Sequence, residues 1–334
     1  MKTSQNYQNH DLNLFEIMRP YLSNLDNTIS QNLSTQVPFI DSVVNYIISA
    51  GGKRLRPIVL ICLALALDKN SNQKNIYILA AVIEFIHTAT LLHDDVVDES
   101  NLRRTKPTVN AVFGNAPAVL VGDFLYSRAF EMMVSVNNLT IMQVLAKTTN
   151  IIAQGEVLQL INIGNIDINL TTYLEVIYYK TAKLFEASSE IAAILCNKLD
   201  FRAQARDYGR YLGCAFQLID DYLDYGGNTQ TMGKEIGDDL RQGKITMPII
   251  YLLEQGSIEQ KQFLIQEIEN IKQGNLVNIP KVIELIKNSN ALEYTKQQAI
   301  LESQKAKQAI EDLDDNIYKQ CLYKICDMAI ERLF

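Results

Sequence analysis

Two short acidic motifs of identical spacing are the residues in this chain that point most clearly to chemistry. Each motif reads Asp-Asp-x-x-Asp and follows a long apolar stretch. The six aspartates are Asp94, Asp95, Asp98, Asp220, Asp221 and Asp224. Placing so many carboxylates on apolar segments is unfavourable unless cations neutralise them. Because the motifs lie far apart in the sequence, only folding can bring them together.

Helical geometry predicts how these carboxylates are presented. Residues four apart lie on one face of an α-helix, so Asp94 and Asp98 point the same way, as do Asp220 and Asp224. Mg²⁺ prefers oxygen ligands and usually combines one or two carboxylates with substrate phosphates. Two such helices facing each other would therefore hold a Mg²⁺–diphosphate cluster between them. The competing interpretation, two acidic helix ends in solvent, suits a single motif better than a matched pair.

A separate set of cations predicts a second anion site. The segment Gly51–Pro57 carries Lys53, Arg54 and Arg56 just before a predicted helix, whose N-terminal N–H groups attract anions. Further candidates are His87, Arg103, Arg104, Lys180, Lys234 and Lys244. A planar guanidinium can grip two phosphate oxygens at once. For any of these residues alone, the simpler interpretation is a solvated charge or, for His87, a satisfied core histidine.

Helical periodicity predicts the elements that position these residues. Pro and Gly are scarce and fall mainly between apolar runs. We therefore expect an all-α fold, with residues 1–334 forming a single domain. The predicted helices cover residues 12–32, 38–50, 57–68, 74–98, 108–112, 116–136, 139–161, 170–196, 200–224, 244–255, 258–269, 278–288 and, with breaks, 291–332. The long segment from Tyr225 to Gly243 is predicted to be a loop that closes like a lid.

Composition argues against several classes of function. A net charge of −7 disfavours general nucleic-acid binding. The longest uninterrupted apolar run, Ile58 to Leu67, is too short to cross a bilayer, and the polar N-terminus is unlike a signal peptide. The five cysteines are odd in number and form no Cys-x-x-Cys pair, which predicts a reducing, cytoplasmic location.

Taken together, these motifs resemble the trans-isoprenyl (polyprenyl) diphosphate synthase family. The similarity runs in order through Gly51–Pro57, Glu84–Asp98, Arg103-Arg104, Gly122-Asp123, Lys180-Thr181, Phe216–Asp224 and Gly233–Pro248. Within the family, the segments Glu84–Ser100, Val121–Met133 and Gly155–Leu160 are most similar to the bacterial octaprenyl diphosphate synthases. One small departure is Met247, where the family usually has leucine.

The resemblance implies a role for each motif. The six aspartates match the two Mg²⁺-binding motifs of the family, so Mg²⁺ is the expected cofactor. The residues that match its isopentenyl diphosphate site are Lys53, Arg56, His87 and Arg104. The residues that match its allylic diphosphate site are Arg103, Lys180, Thr181, Gln217, Lys234 and Lys244, of which Lys180 is also expected to act in catalysis. The implied fold is a bundle of mostly antiparallel helices around a deep central cavity, generally as a homodimer.

Small side chains before the first motif predict a long product. Ala89 and Thr90 lie about one turn before Asp94, where bulky aromatic residues mark the short-chain enzymes of this family. We expect an octaprenyl diphosphate, grown from farnesyl diphosphate and used for quinone side chains. Met132 and Met133 are candidates for the floor of the product tunnel, with plain core packing as the alternative. We expect brief membrane contact at product release, without a transmembrane segment.

Three other interpretations stay open. The product is of geranylgeranyl or solanesyl length, the protein is a head-to-head prenyl synthase or terpene cyclase, or it is a non-catalytic subunit of another synthase. The cations of Gly51–Pro57 and Arg104 argue against the second, because those enzymes do not need an isopentenyl site. Two intact acidic motifs argue against the third.

Overall fold

Helices account for nearly all of the computed structural model, which describes residues 13–49, 51–103, 106–227, 236–275 and 277–331. The first eight are α1 (Leu14–Leu33), α2 (Pro38–Ser49), α3 (Leu55–Leu67), α4 (Gln73–Val97), α5 (Val109–Phe113), α6 (Asn115–Ser135), α7 (Leu139–Ile161) and α8 (Leu170–Ile177). The others are α9 (Lys183–Leu195), α10 (Arg202–Gly226), α11 (Asp238–Arg241), α12 (Met247–Gln255), α13 (Ile258–Lys272), α14 (Ile279–Lys287), α15 (Ala291–Ala309) and α16 (Ile317–Glu331). The prediction of an all-α fold is confirmed.

Helices α3 and α4 form the centre of the larger core. Every residue of α3 from Pro57 to Leu65 is buried, as expected of a helix that is apolar on all sides. It packs against α4, α9 and α16. Among the described helices, α4 alone is long and apolar enough to cross a membrane, yet 61% of its apolar window is buried in the protein. We therefore interpret α4 as a core helix.

Both acidic motifs lie at the C-terminal ends of long core helices. Asp94 and Asp95 fall in the last turn of α4, with Asp98 as its C-cap. Asp220 to Asp224 fall in the last two turns of α10, which packs mainly against α9 and α15. Each motif thus lies where a long helix ends and the chain leaves the core.

The structure corrects three details of the predicted elements. The helix expected over residues 170–196 is interrupted by a π-helical turn, Tyr178–Ala182. The loop expected after α4 contains a small antiparallel ladder of β1 (Leu102–Arg103) and β2 (Lys106–Pro107), too short to leave a pattern in the sequence. The predicted lid loop contains the end of α10 and all of α11. Residues 228–235 of that loop are outside the described residues.

Candidate active site

The π-helical turn Tyr178–Ala182 is held between α7 and α10 by two glycines. A Cβ atom on Gly155 of α7 would come within 2.7 Å of the Tyr179 Cβ. A Cβ atom on Gly213 of α10 would come within 2.4 Å of the Ala182 Cα. Only glycine permits such close approach on both sides, and π-helical turns of this kind are frequent at functional sites.

Lys180 extends from this turn to the first acidic motif. Its Nζ lies 3.7 Å from Asp94 Oδ2 and 2.6 Å from Glu156 Oε2, and it donates a hydrogen bond to Gln159 Oε1 at 2.7 Å. Burial lowers the pKa of Lys180, but the carboxylates of Asp94 and Glu156 raise it overall. The side chain is therefore a permanent cation at this site.

Two further cations hold the other aspartates of the first motif. Lys244 Nζ lies 2.7 Å from Asp98 Oδ2. The Arg103 guanidinium grips Asp95, with its Nη2 at 2.7 Å and its Nε at 2.9 Å from Oδ1. Asp95 is buried, whereas the Asp94 and Asp98 side chains are 15% and 21% exposed. Asp94 and Asp98 are thus the carboxylates of this motif that an incoming ligand can reach.

Thr181, the residue after Lys180, connects to the second motif. Its hydroxyl donates to Gln217 Oε1 at 2.7 Å, and Gln217 Nε2 donates to Asp221 Oδ1 at 2.8 Å. The Tyr173 hydroxyl donates to the other oxygen of Asp221. Burial raises the pKa of Asp221 to about 8, and the nearby Asp239 contributes to the rise. Adjacent residues of the π-helical turn are therefore linked to both acidic motifs, Lys180 directly and Thr181 through Gln217.

Asp224, near the end of α10, contacts the first residues of α11. Its carboxylate accepts hydrogen bonds from the backbone N–H groups of Asp238 and Asp239 at 3.2 and 3.3 Å. Burial raises the pKa of Asp224 to about 9, and the Asp239 carboxylate adds to the increase. A divalent cation would relieve this excess of negative charge, so the residues fit a metal.

The acidic groups do not form a closed metal cage by themselves. Within the described ranges, no three Asp, Glu, His or Cys side chains converge as a metal cluster. Mg²⁺ usually takes one or two protein carboxylates and completes its shell with water and phosphate oxygens. An open arrangement around Asp94, Asp98 and Asp220 is compatible with that preference.

The metal-free protein will lose stability progressively as the pH rises from 3.8 to about 9. Asp221 and Asp224 have folded-state pKa values of about 8 and about 9, against 3.8 as the ordinary value. Their bound protons stabilise the folded state, an effect fully present below 3.8 and lost as the pH rises through the two raised values. Thermal unfolding with a chelator checks this. The double variant Asp221→Asn/Asp224→Asn should flatten the dependence, and an unchanged slope would contradict it.

Arg56 and His87, both predicted for the isopentenyl site, are neighbours. Arg56 Nη1 lies 3.2 Å from His87 Nε2, and its guanidinium lies over the Phe185 ring at 4.4 Å. Burial lowers the pKa of Arg56 to about 10, an effect partly offset by the carboxylates of Glu84 and Asp220, so Arg56 stays charged at neutral pH. Its Nε is buried without a hydrogen-bond partner in the described part of the chain.

The remaining predicted residues have simpler surroundings. Lys53 is exposed in the loop before α3. Ala89, Met132 and Met133 are buried in the larger core, and the Thr90 hydroxyl donates to the backbone carbonyl of His87. Arg104 and Lys234 lie outside the described residues. The chain-length roles of Ala89, Thr90, Met132 and Met133 stay predictions.

Sequence reasoning missed several partners of the site. Burial raises the pKa of Glu156 to about 7 even though Lys180 lowers it, and Tyr173 and Asp239 act on the second motif. Glu84 pairs with Arg54, whose backbone is left-handed at φ 49° where α3 begins. Glu156 follows Gly155 in a segment already matched to the family, which was a usable signal. Single residues such as Tyr173 carry no such signal.

Known proteins match this chain over most of its length. Residues 37–286 match the family model described as Polyprenyl synthetase. The chain belongs to this family. The octaprenyl diphosphate synthase of Escherichia coli (strain K12) is 44% identical over 319 residues, which cover 95% of this chain and 97% of that protein. The all-trans-nonaprenyl-diphosphate synthase (geranyl-diphosphate specific) of Rhodobacter capsulatus is 42% identical, covering 92% of this chain and 94% of that protein.

A solved structure supports the same family relation. The polyprenyl synthase of Caulobacter crescentus CB15, complexed with calcium and isoprenyl diphosphate, has a TM-score of 0.90 and 38% identity. The match covers 96% of this chain and 97% of that chain. The fold is therefore the all-α isoprenoid synthase fold, and the prediction of a trans-prenyltransferase with a long-chain product is confirmed. The calcium in that relative agrees with use of a divalent metal by the family.

Proposed function

We propose that the protein condenses isopentenyl diphosphate onto farnesyl diphosphate, with Mg²⁺, to make all-trans octaprenyl diphosphate. The observation that supports this best is the π-helical turn, where Lys180 contacts Asp94 and Thr181 connects through Gln217 to Asp221. Two acidic motifs and a cation thus border one site. From the family resemblance we further propose that the product serves quinone side chains.

Each group has a stated role in this proposal. Asp94, Asp98 and Asp220 are the accessible metal ligands, while the buried Asp95, Asp221 and Asp224 support them. Bound Mg²⁺ would neutralise charge that grows on the leaving diphosphate. Lys180 and Lys244 stabilise the same charge from fixed positions. The carbocation left by C–O cleavage is attacked by the isopentenyl double bond, and the released diphosphate accepts the departing proton.

The proposal is tested by chain-length analysis of the products. Purified protein is incubated with farnesyl diphosphate, isopentenyl diphosphate and Mg²⁺, and products are measured by mass spectrometry. We expect mainly octaprenyl diphosphate. A nonaprenyl product, as in the name of the Rhodobacter capsulatus relative, would correct the proposed length. If folded protein elongates no substrate, the result would favour a non-catalytic subunit.

Arg56→Gln should raise KM for isopentenyl diphosphate by roughly ten-fold or more, because glutamine cannot make a charge-assisted hydrogen bond to phosphate. KM for the allylic substrate should change little, because Arg56 lies on the side of His87 and not beside Lys180. Steady-state kinetics with each substrate varied in turn separates the two effects. Lys69→Gln, an exposed cation between α3 and α4, is the control. Equal increases in both KM values would contradict the assignment of Arg56 to the isopentenyl diphosphate site.

We also propose a homodimer in the cytoplasm. Helices α6 and α7 expose large apolar side chains, among them Leu120 at 65%, Val134 at 56% and Ile161 at 70%, and such patches mark interfaces. Leu120→Glu should shift the protein towards monomer in light-scattering chromatography, whereas Leu301→Glu on α15 should not. Equal behaviour of both variants would contradict the interface. The five cysteines are buried and unpaired, which supports a reducing compartment.

A further inference from the structure

Besides the candidate active site, the structure has a polar cavity between α7, α9 and α10. Its volume is about 380 Å³, within the range of small-ligand pockets. Five cations line it, namely Lys147, Lys183, Arg202, Arg206 and Arg210. None of these five is among the residues assigned above to metal or substrate.

Positive charge exceeds negative charge in this cavity. Three carboxylates also line it, Glu186, Glu190 and Asp207. Two are already neutralised, because Lys183 pairs with Glu186 and Arg202 with Glu190 at 2.7 Å. What remains is Asp207 against three cations.

The three remaining cations are available for a ligand. Within the part of the chain that the structure describes, Lys147, Arg206 and Arg210 make no ion pair with a carboxylate. Arg210 lies over the Tyr178 ring at 5.0 Å, which fixes the direction of its guanidinium. Arg202, Arg206 and Arg210 recur every four residues, so they share one face of α10. This excess positive charge occurs in a chain whose net charge is −7.

A buried hydroxyl in the cavity wall gives an independent indication of a ligand. Thr148 is 1% exposed and lines the cavity, yet its Oγ1 has no hydrogen-bond partner among the described residues. Helical Ser and Thr usually donate to a carbonyl one turn back, as Thr149 does to Ala146 and Ser188 does to Leu184. Leaving such a group unpaired is unfavourable, so a bound oxygen acceptor would explain it.

We propose that this cavity is a binding site for a phosphate-type anion. Guanidinium groups on α10, and an ammonium and a hydroxyl on α7, surround the space from two helices, an arrangement that suits an anion with several oxygens. The chemistry is shared by free diphosphate and by a phospholipid headgroup. The free anion is the expected ligand, because a cavity of about 380 Å³ has the size of a small-molecule pocket.

Calorimetric titration with inorganic diphosphate, in chelator and on the full chain, tests the proposal. Lys147→Gln/Arg206→Gln should weaken one class of binding by about ten- to a hundred-fold, because two charged groups no longer bind the anion. The matched control is Arg19→Gln/Lys69→Gln, which removes the same two charges from exposed positions on α1 and after α3. Thr148→Val should weaken binding without lowering the melting temperature of the ligand-free protein.

Vesicles of equal parts phosphatidylcholine and phosphatidylglycerol distinguish the two sources of phosphate. We expect the Lys147→Gln/Arg206→Gln variant and its control to co-sediment equally with these vesicles. Selective loss of vesicle binding in that variant would assign the site to a lipid headgroup. Unchanged diphosphate and vesicle binding in both the double variant and Thr148→Val would overturn the proposal.

Discussion

Replacing Asp94 or Asp220 by alanine will lower turnover by about a hundred- to a thousand-fold, the usual effect of removing one preorganised electrostatic contact. Both carboxylates belong to the accessible part of their motifs. Asp94 lies 3.7 Å from Lys180, and Asp220 raises the pKa of Arg56 electrostatically. Removing either changes how a metal and a diphosphate are held together. Single-turnover assays with saturating Mg²⁺ measure the loss directly.

The control for these variants is Asp26→Asn, an exposed position on α1 that should retain full activity. Lys180 keeps Glu156 as a partner when Asp94 is removed, so the Asp94 variant is expected to fold. Thermal unfolding checks this. Near-normal turnover of either alanine variant, in folded protein, would refute the metal assignment. Partial recovery of turnover at high Mg²⁺ concentrations would support the metal assignment further.

Ala89→Tyr will shorten the main product by roughly two or more isoprene units, because the larger side chain leaves no room for a longer prenyl chain. Ala89 is fully buried on α4, five residues before Asp94, so a ring placed there occupies space just beneath the reacting end. Mass spectrometry of the products measures the shift. The first condensations should continue, because Ala89 is not among the residues assigned to either diphosphate.

Two comparisons make the chain-length result interpretable. Ala89→Ser adds one atom and should leave the product distribution unchanged. Tyrosine at a buried site also affects folding, since overpacking typically destabilises by about 1–3 kcal/mol, so melting temperatures accompany the assay. An unchanged product from folded Ala89→Tyr would show that the growing chain does not pass this residue.

The sequence was sufficient to predict the helices, and it selected charged residues that the fold brings close together. Apolar periodicity defined α4 and α10, and matched spacing identified the aspartates at their ends. Family resemblance then selected Lys180, Thr181 and Gln217, which the structure connects to the acidic motifs. The helix predictions succeed because they depend on local pattern, whereas the roles of the selected residues stay predictions.

Other features depend on contacts that no local pattern records. The unequal burial of the aspartates arises because Arg103 covers Asp95 and because α11 covers Asp224. The contact of Glu156 with Lys180 depends on how closely α7 approaches the π-helical turn. Gly155 permits that close approach, and no charge pattern records it. Thr148 resembles an ordinary helical residue until its missing partner is seen in three dimensions.

The π-helical turn has a consequence for which mutations the protein tolerates. A π-helical turn contains one residue more than an α-helical turn, so deleting a residue between Tyr178 and Ala182 would restore α-helical winding. The flanking helices α8 and α9 would keep roughly their relative orientation, because one α-helical turn would replace one wider turn. The bulge that directs Lys180 towards Asp94 and Thr181 towards Gln217 would be lost, even if Tyr179 were the residue removed. At this turn, the number of residues constrains evolution as strictly as their identity.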